Sequence, residues 1–370
     1  MKVNKEYYCE LGPLLVKLYS NNAVSKQMVE DLGAIQLSET KEGDIELFIG
    51  GQNVHSNYVP KVFSAKGSMN FNKQEFFVDY LNEFNYTVKN LFGTKRIDIL
   101  INTDKTNIKK RLKRIYKRRI NLEKDVILSY SLFWYVVHLS LLKKDSAFIH
   151  SGVFESSMGA TIITGTGGCG KTSTLFKILE NDKYTYLSED FGIVDINGFT
   201  YFNPKPVSVY ATDMEFGQAI LKNYFSNFTL GEKLTWFIKR KVLRLNPMKK
   251  IPPHRLMNRR IGKKTKIKNV LYFVRNDDNA ISMVDVSPEE LSERVLDASM
   301  RELKTLNELL LLMRANAPKE YKIPSFEDVR NETKIVYNKV FSQSGRKIIF
   351  IPLRTKPEEL SKYLSDNGLI

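Results

Sequence analysis

The chain has 370 residues, a formal net charge of +16 at pH 7 and a hydrophobic fraction of 42%. This length allows two domains with their own cores, and the composition excludes a disordered or fibrous protein. The two cysteines, Cys9 and Cys169, give no sign of a disulfide framework or a cysteine-based metal site, so a reducing cytoplasm is the expected setting.

The first hundred residues alternate extended runs with polar turns. Residues 44–50 (DIELFIG) and 96–102 (RIDILIN) predict strands. Residues 105–124 are half basic, with apolar residues at helical spacing, and predict a charged surface helix that joins two parts of the chain. We therefore expect an N-terminal accessory α+β domain over residues 1–121 and a second domain over residues 122–370.

The most apolar segment, residues 126–142 (VILSYSLFWYVVHLSLL), carries His138 and several serines and is short for a membrane span. It predicts a buried helix. The N-terminal residues lack the uninterrupted apolar core of a signal peptide. These features again favour a cytoplasmic location.

A glycine-rich stretch, residues 161–174 (TIITGTGGCGKTST), matches the phosphate-loop pattern G-x-x-x-x-G-K-[ST] without a mismatch. A β-branched run precedes the loop, and residues 173–180 predict a helix after it. Such a loop turns its backbone N–H groups toward an anion, and the helix N-terminus adds further donors. Lys171 would reach the β- and γ-phosphates, and the Thr172 hydroxyl would bind Mg²⁺. The residues expected to hold the nucleotide are Gly165, Thr166, Gly167, Gly168, Cys169, Gly170, Lys171, Thr172 and Ser173.

An acidic pair, Glu189 and Asp190, follows the loop at the end of the next predicted strand. His150 precedes the loop, at the start of the first of two strands joined by a turn over residues 155–159. The order of histidine, hairpin, phosphate loop, helix and acidic pair resembles the HPr kinase/phosphorylase family and its relatives with the phosphoenolpyruvate-carboxykinase-like nucleotide fold. The resemblance covers residues 130–290 and is most specific in the loop.

The resemblance implies an α/β fold with a mixed α+β sheet, a P-loop kinase core of HPr kinase/PEP-carboxykinase-like type, and ATP and Mg²⁺ as cofactors. It assigns four catalytic residues. Glu189 accepts the proton of the acceptor hydroxyl, Asp190 binds Mg²⁺ with Thr172, His150 supports the pair, and Lys171 holds the phosphates.

The sequence departs from the family at two places. The family usually has two aspartates at the acidic pair, and its glycine-containing signature in the second half is not found here. HPr is therefore not the expected substrate.

Two further segments are candidates for contact with the acceptor. Residues 201–210 (YFNPKPVSVY) resemble a segment common in these relatives, so Lys205 either faces the active site or is an exposed turn lysine. Residues 239–268 contain thirteen lysines or arginines and no acidic residue. This basic run is either a solvated face, a site for an anionic substrate, or a contact with anionic lipid. The apolar residues interleaved with the lysines favour the contact with lipid. The arginines that could contact the triphosphate are Arg255, Arg259 and Arg260. No nucleic-acid-reading module accompanies the charge, so nucleic-acid binding is not expected.

Two further patterns lie in the C-terminal part of the chain. Residues 286–314 predict a helix with Ser287 as N-cap and Glu290 completing a capping box, and its apolar positions are assigned to the core. Residues 347–370 predict a last strand and helix.

The function expected from these features is ATP-dependent transfer of the γ-phosphate to a hydroxyl of a small molecule or of a peptide or protein serine. The alternative is a nucleotide-binding regulatory or assembly NTPase with a basic surface for an anionic partner or membrane. A kinase needs a base facing an acceptor, whereas a switch needs only a group that positions water. Decarboxylating chemistry is less favoured because no second cluster of His, Lys and Asp accompanies the loop. The expected location is cytoplasmic, with peripheral contact at the inner membrane surface through residues 239–268. Because relatives are often oligomers, the resemblance also implies a homo-oligomer.

Overall fold

The computed structural model of the protein describes residues 5–20, 23–49, 62–64, 67–72, 75–80, 84–93, 96–102, 124–210, 221, 225–226, 228–242, 245–246, 248–257, 260–317 and 321–370. Contacts divide the chain into two units, Met1–Lys144 with Leu303–Val329, and Asp145–Glu302 with Arg330–Ile370. Three of the sequence predictions lie outside the described residues. They are residues 105–123 of the predicted charged surface helix, the expected domain boundary at residue 121, and Arg259.

The first unit contains a mixed sheet with the strand order β1-β2-β3-β8-β7-β6-β5-β4. Strands β2, β3 and β8 run parallel to one another, and the other neighbours are antiparallel. The strands are Lys5–Leu11 (β1), Leu14–Ser20 (β2), Ile45–Ile49 (β3), Val62–Ser64 (β4), Gly67–Asn72 (β5), Glu75–Tyr80 (β6), Phe84–Lys89 (β7) and Ile97–Asn102 (β8).

Alternation along β2 and β3 gives this part of the sheet one apolar and one charged face. Val16 and Leu47 are buried on the apolar face, and helix α1 (Ala23–Asp31) contacts both strands. Lys17 and Glu46 point the other way, where Lys17 pairs with Glu6 at 3.0 Å. The same unit holds helices α2 (Lys124–Leu142) and α7 (Lys304–Asn316).

The second unit contains another mixed sheet, with the order β10-β9-β12-β13-β16-β18-β17. Strand β16 runs parallel to β10 and β18, and β11 pairs with β9. The strands are Ser146–Ser156 (β9), Gly159–Gly165 (β10), Thr185–Ser188 (β11), Phe191–Asp195 (β12), Phe199–Tyr201 (β13), Val207–Tyr210 (β14), Met248–Ile251 (β15), Lys264–Asn276 (β16), Ser282–Asp285 (β17) and Gly345–Pro352 (β18). Strands β14 and β15 form a separate antiparallel ribbon.

Helices pack on the strands that lead into the glycine-rich stretch. The run Val270–Phe273 in β16 is buried and apolar, as expected for a strand between two parallel neighbours. Both α3 (Lys171–Ile178) and α6 (Pro288–Glu302) contact β9 and β10. The remaining helices in or entering this unit are α4 (Leu230–Phe237), α5 (Pro253–Leu256), α8 (Phe326–Ser342) and α9 (Pro357–Asp366).

The mixed α/β class with mixed sheets is confirmed, as are the strands at 44–50 and 96–102, the hairpin before the glycine loop, the helix after it, and the last strand and helix. The segment at 126–142 is a helix, and Phe133, Val137 and Leu141 in it are buried. Among the helices of the described residues, none has the length and apolarity to cross a membrane.

Two boundaries differ from the predictions. His150 lies inside β9 rather than at its start, because Ser146–Ile149 is also buried and pairs with β12. The helix that follows Ser287 ends at Glu302, and another begins at Lys304. Leu303 between them leaves the helical conformation, with φ −91° and ψ 14°, and buries its side chain. The leucine pattern continues across Leu303, so the pattern alone did not predict that the helix is interrupted there.

Candidate functional site

The glycine-rich loop lies between the end of β10 at Gly165 and the start of α3 at Lys171. Gly165 has φ +143°, and a Cβ there would lie 2.6 Å from the carbonyl oxygen of Phe273. Gly170 is the N-cap of α3 and has φ +98°, a backbone angle that residues other than glycine rarely adopt. The backbone conformation at Gly165 and Gly170 therefore explains why the sequence pattern has glycine at these two positions.

The outer side of this loop is open. Among the described residues, and apart from each glycine and its chain neighbours, no heavy atom lies within 4 Å of the position that a Cβ on Gly167 or Gly168 would take. Helix α3 begins without a side-chain cap at Gly170, so the N–H groups of its first turn have no side-chain acceptor there. Backbone donors at such a helix start are suited to an anion.

Lys171 folds back over the loop. Its Nζ donates to the carbonyl oxygens of Gly165 at 2.9 Å and Thr166 at 3.0 Å, and the residue is buried. Cys169 is buried beside it, and burial raises the pKa of the Cys169 thiol against the opposing charges of Lys171 and Arg275. The thiol is therefore protonated at neutral pH and a poor nucleophile.

Arg275, at the end of β16, contacts the glycine loop. A role for this residue was not predicted from the sequence. Its Nε donates to the Cys169 carbonyl at 3.1 Å. Its Nη1 donates to the carbonyls of Pro352 at 2.7 Å and Thr355 at 3.3 Å. One guanidinium group therefore ties the glycine loop to the end of β18. A lone arginine after the apolar run of β16 is the only sequence signal for this residue.

The acidic pair occupies a kink between two strands. Strands β11 and β12 both pair with β9, and the chain bends between them at Glu189 and Asp190. Asp190 has φ +71°, in the left-handed region that is uncommon for residues other than glycine. The bend places Asp190 next to His150, which lies opposite Phe191 in the register of β9 and β12.

Glu189 faces the first turn of α3. The Thr172 hydroxyl donates to Glu189 Oε1 at 2.7 Å, and Glu189 is only 9% exposed. Burial and the neighbouring Asp190 charge raise the pKa of Glu189 to about 7, although the Thr172 hydrogen bond opposes the shift. Near neutral pH, this carboxyl is therefore able both to accept and to release a proton.

Asp190 is held in its charged form. Burial alone would raise the pKa of Asp190, but the charges and hydrogen bonds of Lys205 and His150 outweigh it and keep the pKa well below its usual range. Lys205 Nζ forms an ion pair with Asp190 Oδ2 and also lies 3.9 Å from the centre of the Phe191 ring. His150 Nδ1 lies 3.3 Å from Asp190 Oδ1. Two adjacent carboxyl groups thus have pKa values pushed in opposite directions.

His150 is positioned from its backbone and its ring. Its N–H donates to Ser299 Oγ on α6 at 3.1 Å, and its ring Nδ1 lies 3.2 Å from the Asp190 carbonyl oxygen. The other ring nitrogen, Nε2, is buried without a hydrogen-bond partner among the described residues. His150, Asp190 and Glu302 lie close enough that one ligand atom from each falls within 4.8 Å of the others, a set able to hold a metal ion.

The structure brings together most of the residues singled out from the sequence, namely His150, Lys171, Thr172, Glu189, Asp190 and Lys205. Two arginine candidates lie elsewhere on the unit. Arg260 pairs with Asp182, after α3, at 3.0 Å, and Arg255 is exposed on α5. The Thr172 hydroxyl contacts Glu189, whereas the sequence assigned the metal to Thr172 and Asp190.

Comparison of the chain with models of known protein families and with curated proteins gives no match.

Proposed function

We propose that the protein is an ATP- and Mg²⁺-dependent kinase of HPr kinase-like type, which transfers the γ-phosphate to a hydroxyl of a small molecule or of a peptide or protein serine. One observation carries the proposal. Through Thr172, the start of α3 meets an acidic pair in which the pKa of Glu189 is raised and that of Asp190 is lowered. Phosphoryl transfer needs this combination of a phosphate cradle, a fixed negative charge and a base.

The glycine loop fits a triphosphate. Its outer side is open above Gly167 and Gly168, and the uncapped start of α3 offers backbone N–H donors. Lys171 belongs to the loop pattern, and its Nζ donates to the loop carbonyls of Gly165 and Thr166. These features support Lys171 as the residue that neutralises the phosphates.

The oxygen groups next to the loop fit Mg²⁺, which prefers hard oxygen ligands. Thr172 and Asp190 would hold the ion, with Glu189 beside the Thr172 hydroxyl. Bound Mg²⁺ would neutralise negative charge on the β- and γ-phosphates. Asp190 stays ionised across the physiological range, and a bound Mg²⁺ would share its carboxylate with Lys205 and His150.

Glu189 is the proposed base. The acceptor oxygen forms the bond to the γ-phosphorus, the bond from that phosphorus to the β–γ bridging oxygen breaks, and the hydroxyl proton passes to Glu189. A base is most effective when its pKa is close to the working pH, and the pKa of Glu189 is about 7. Asp190 is too weak a base for this step, which favours the division of roles stated above.

His150 and Lys205 position the pair. Each contacts a different carboxylate oxygen of Asp190, so the carboxylate cannot rotate without breaking one of the contacts. Lys205 also places a positive charge beside the acidic pair, and its side chain is only 16% exposed, which supports the alternative in which it faces the site. We assign both residues to positioning and charge balance.

The proposal is tested by incubating the purified chain with γ-labelled ATP, Mg²⁺ and a set of hydroxyl-bearing metabolites and serine peptides. Lys171→Ala is the inactive variant. Lys177→Ala is its matched control, because Lys177 lies on the same helix but pairs with Glu180 at 2.7 Å. Label transferred to an acceptor by the wild type and the control, but not by Lys171→Ala, supports the kinase.

Nucleotide binding or slow hydrolysis without a labelled acceptor would favour the alternative, a regulatory or assembly NTPase. Absence of nucleotide binding by the wild type would overturn both. Binding is followed separately by the change in melting temperature on addition of ATP and Mg²⁺.

A further inference from the structure

Helix α4 and the π-helix that continues it at Ile238–Val242 carry an unusual row of exposed apolar side chains. The exposed fractions of Leu234 and Phe237 are 59% and 57%, and Leu230 is still more exposed. The exposed apolar residues of this segment are Leu230, Leu234, Phe237, Ile238, Val242 and Leu245. Scattered exposed leucines are ordinary, but a contiguous row marks a contact surface.

The row lies on a different face of the helix from the residue that packs into the unit. Leu230, Leu234 and Phe237 follow the i, i+4, i+7 spacing that places side chains on one face. Trp236 lies on a different face and packs against Phe225 and Phe228, with ring centres 5.1 and 6.0 Å apart. Trp236 therefore anchors the helix to the unit, and the outer row is not needed for that packing.

The surroundings of the row are strongly basic. Lys233 and Lys241 are exposed, and Lys239 and Arg240 are partly exposed in the π-helix. Strand β15 adds Lys249 and Lys250, of which Lys249 lies over the Phe228 ring at 4.0 Å. Residues 239–268 contain no acidic residue, and the sequence of α4 contains one, Glu232. A π-helical turn is rare and often marks a functional segment.

We infer that this face of α4 and its π-helix docks on the surface of an anionic lipid bilayer. The leucine and phenylalanine side chains enter the boundary between headgroups and acyl chains, and the surrounding lysines and arginine contact the anionic headgroups. The segment is too short and too charged to cross the bilayer, so the contact is peripheral.

Charge favours a membrane over a second copy of this chain. In a symmetric dimer the same patch would face itself, so the basic border of one copy would lie against the basic residues around the patch of the other. Like charges brought together in this way oppose the contact. An anionic bilayer satisfies both the apolar row and its basic border.

The test uses the full chain and sedimentation with vesicles. One set contains phosphatidylserine mixed with phosphatidylcholine, and the other contains phosphatidylcholine alone. The apolar variant is Leu234→Ser with Phe237→Ser, and the charge variant is Lys239→Gln with Lys241→Gln. The matched control is Leu311→Ser with Ile335→Ser, two residues that are each 58% exposed and lie on other helices. Circular dichroism and melting temperature confirm that each variant is folded.

We expect the wild type and the control to bind the phosphatidylserine vesicles, with binding that weakens as salt is added. The apolar variant should bind about tenfold less or weaker still, and the charge variant should lose about fivefold for each charge removed. Lys171→Ala should bind vesicles like the wild type, since Lys171 is buried in the glycine loop and is not one of the side chains of this surface.

Equal binding by the apolar variant and the control would overturn the inference, as would failure of the wild type to bind phosphatidylserine vesicles. A dimer detected by light scattering and lost in the apolar variant, without vesicle binding, would assign the surface to self-association instead.

Discussion

The hydroxyl of Thr172, in the first turn of α3, donates a 2.7 Å hydrogen bond to the Oε1 atom of Glu189, in the kink between β11 and β12. This bond joins the glycine loop to the acidic pair across seventeen residues of sequence. It places the residue expected to hold a metal next to the carboxyl group whose pKa is raised to about 7. The proposed chemistry depends on that proximity.

The pH profile of phosphoryl transfer should report Glu189. A base acts when it is deprotonated, so kcat/KM should rise with pH and level off above about pH 7, the pKa of Glu189 in the free protein. Glu189→Gln keeps an oxygen for the Thr172 hydrogen bond but accepts no proton, so it should lose transfer by at least about a hundredfold while still binding ATP. Kinetics from about pH 5 to pH 9, with ATP binding measured in parallel, check this. Full transfer by Glu189→Gln would remove the base assignment.

The stability of the protein should also depend on Glu189. The pKa of Glu189 is raised from 4.5 to about 7 on folding, so between those values the folded state binds more protons than the unfolded state. The free energy of unfolding contributed by this group therefore decreases as pH rises through that window. At pH 8, Glu189→Gln should have a free energy of unfolding about 1 to 3 kcal/mol higher than that of the wild type, and at pH 5 the two should differ little. Denaturant unfolding at the two pH values measures this difference. An equal difference at both pH values would contradict the raised pKa.

The ion pair between Asp190 and Lys205 should be strongly coupled. Their side chains are 32% and 16% exposed, so neither charge is fully solvated. Asp190→Asn removes the charge but keeps a side chain that tolerates the left-handed backbone. In a double-mutant cycle with Lys205→Met, we expect a coupling free energy of about 1 to 3 kcal/mol from denaturant unfolding.

The reference for that cycle is the pair of Lys347 with Asp285, in which Asp285 is 87% exposed. An exposed pair of this kind should show a coupling of about 0.5 kcal/mol or less. Equal coupling in the two cycles would mean that Lys205 does not stabilise the charge of Asp190.

Arg275 should be required for the shape of the glycine loop. Lysine cannot reach the carbonyls of Cys169, Pro352 and Thr355 at once, since it lacks the planar group that does so. Arg275→Lys should lower the free energy of unfolding by about 2 kcal/mol and weaken ATP binding. Thermal unfolding with and without ATP measures both effects. Arg294→Lys is the control, because Arg294 is exposed and bonds only across one helical turn to Glu290 in the described contacts. Unchanged ATP binding in Arg275→Lys would limit its role to stability.

The sequence alone determined the local elements of the site. The spacing of Gly165, Gly170 and Lys171 predicted a strand, a loop and a helix, because left-handed backbone and close approach to Phe273 leave no room for a side chain. The apolar run at 126–142 predicted a helix, and Ser287 predicted a helix start, where its Oγ accepts from the Glu290 N–H at 3.1 Å. These features depend on interactions within a few residues, which a sequence pattern records directly.

Only the tertiary structure decided which distant groups meet. Arg275 reaches Cys169 across 106 residues, and Ser299 fixes the backbone of His150 across 149. The opposite pKa shifts of Glu189 and Asp190 arise from burial, from Lys205 and from His150, although the two residues are adjacent in sequence. The pairing of distant strands sets these contacts, and the local period of apolar residues does not record which strands pair. The sequence therefore determined the types of residue and the local backbone, and the fold determined their protonation and their partners.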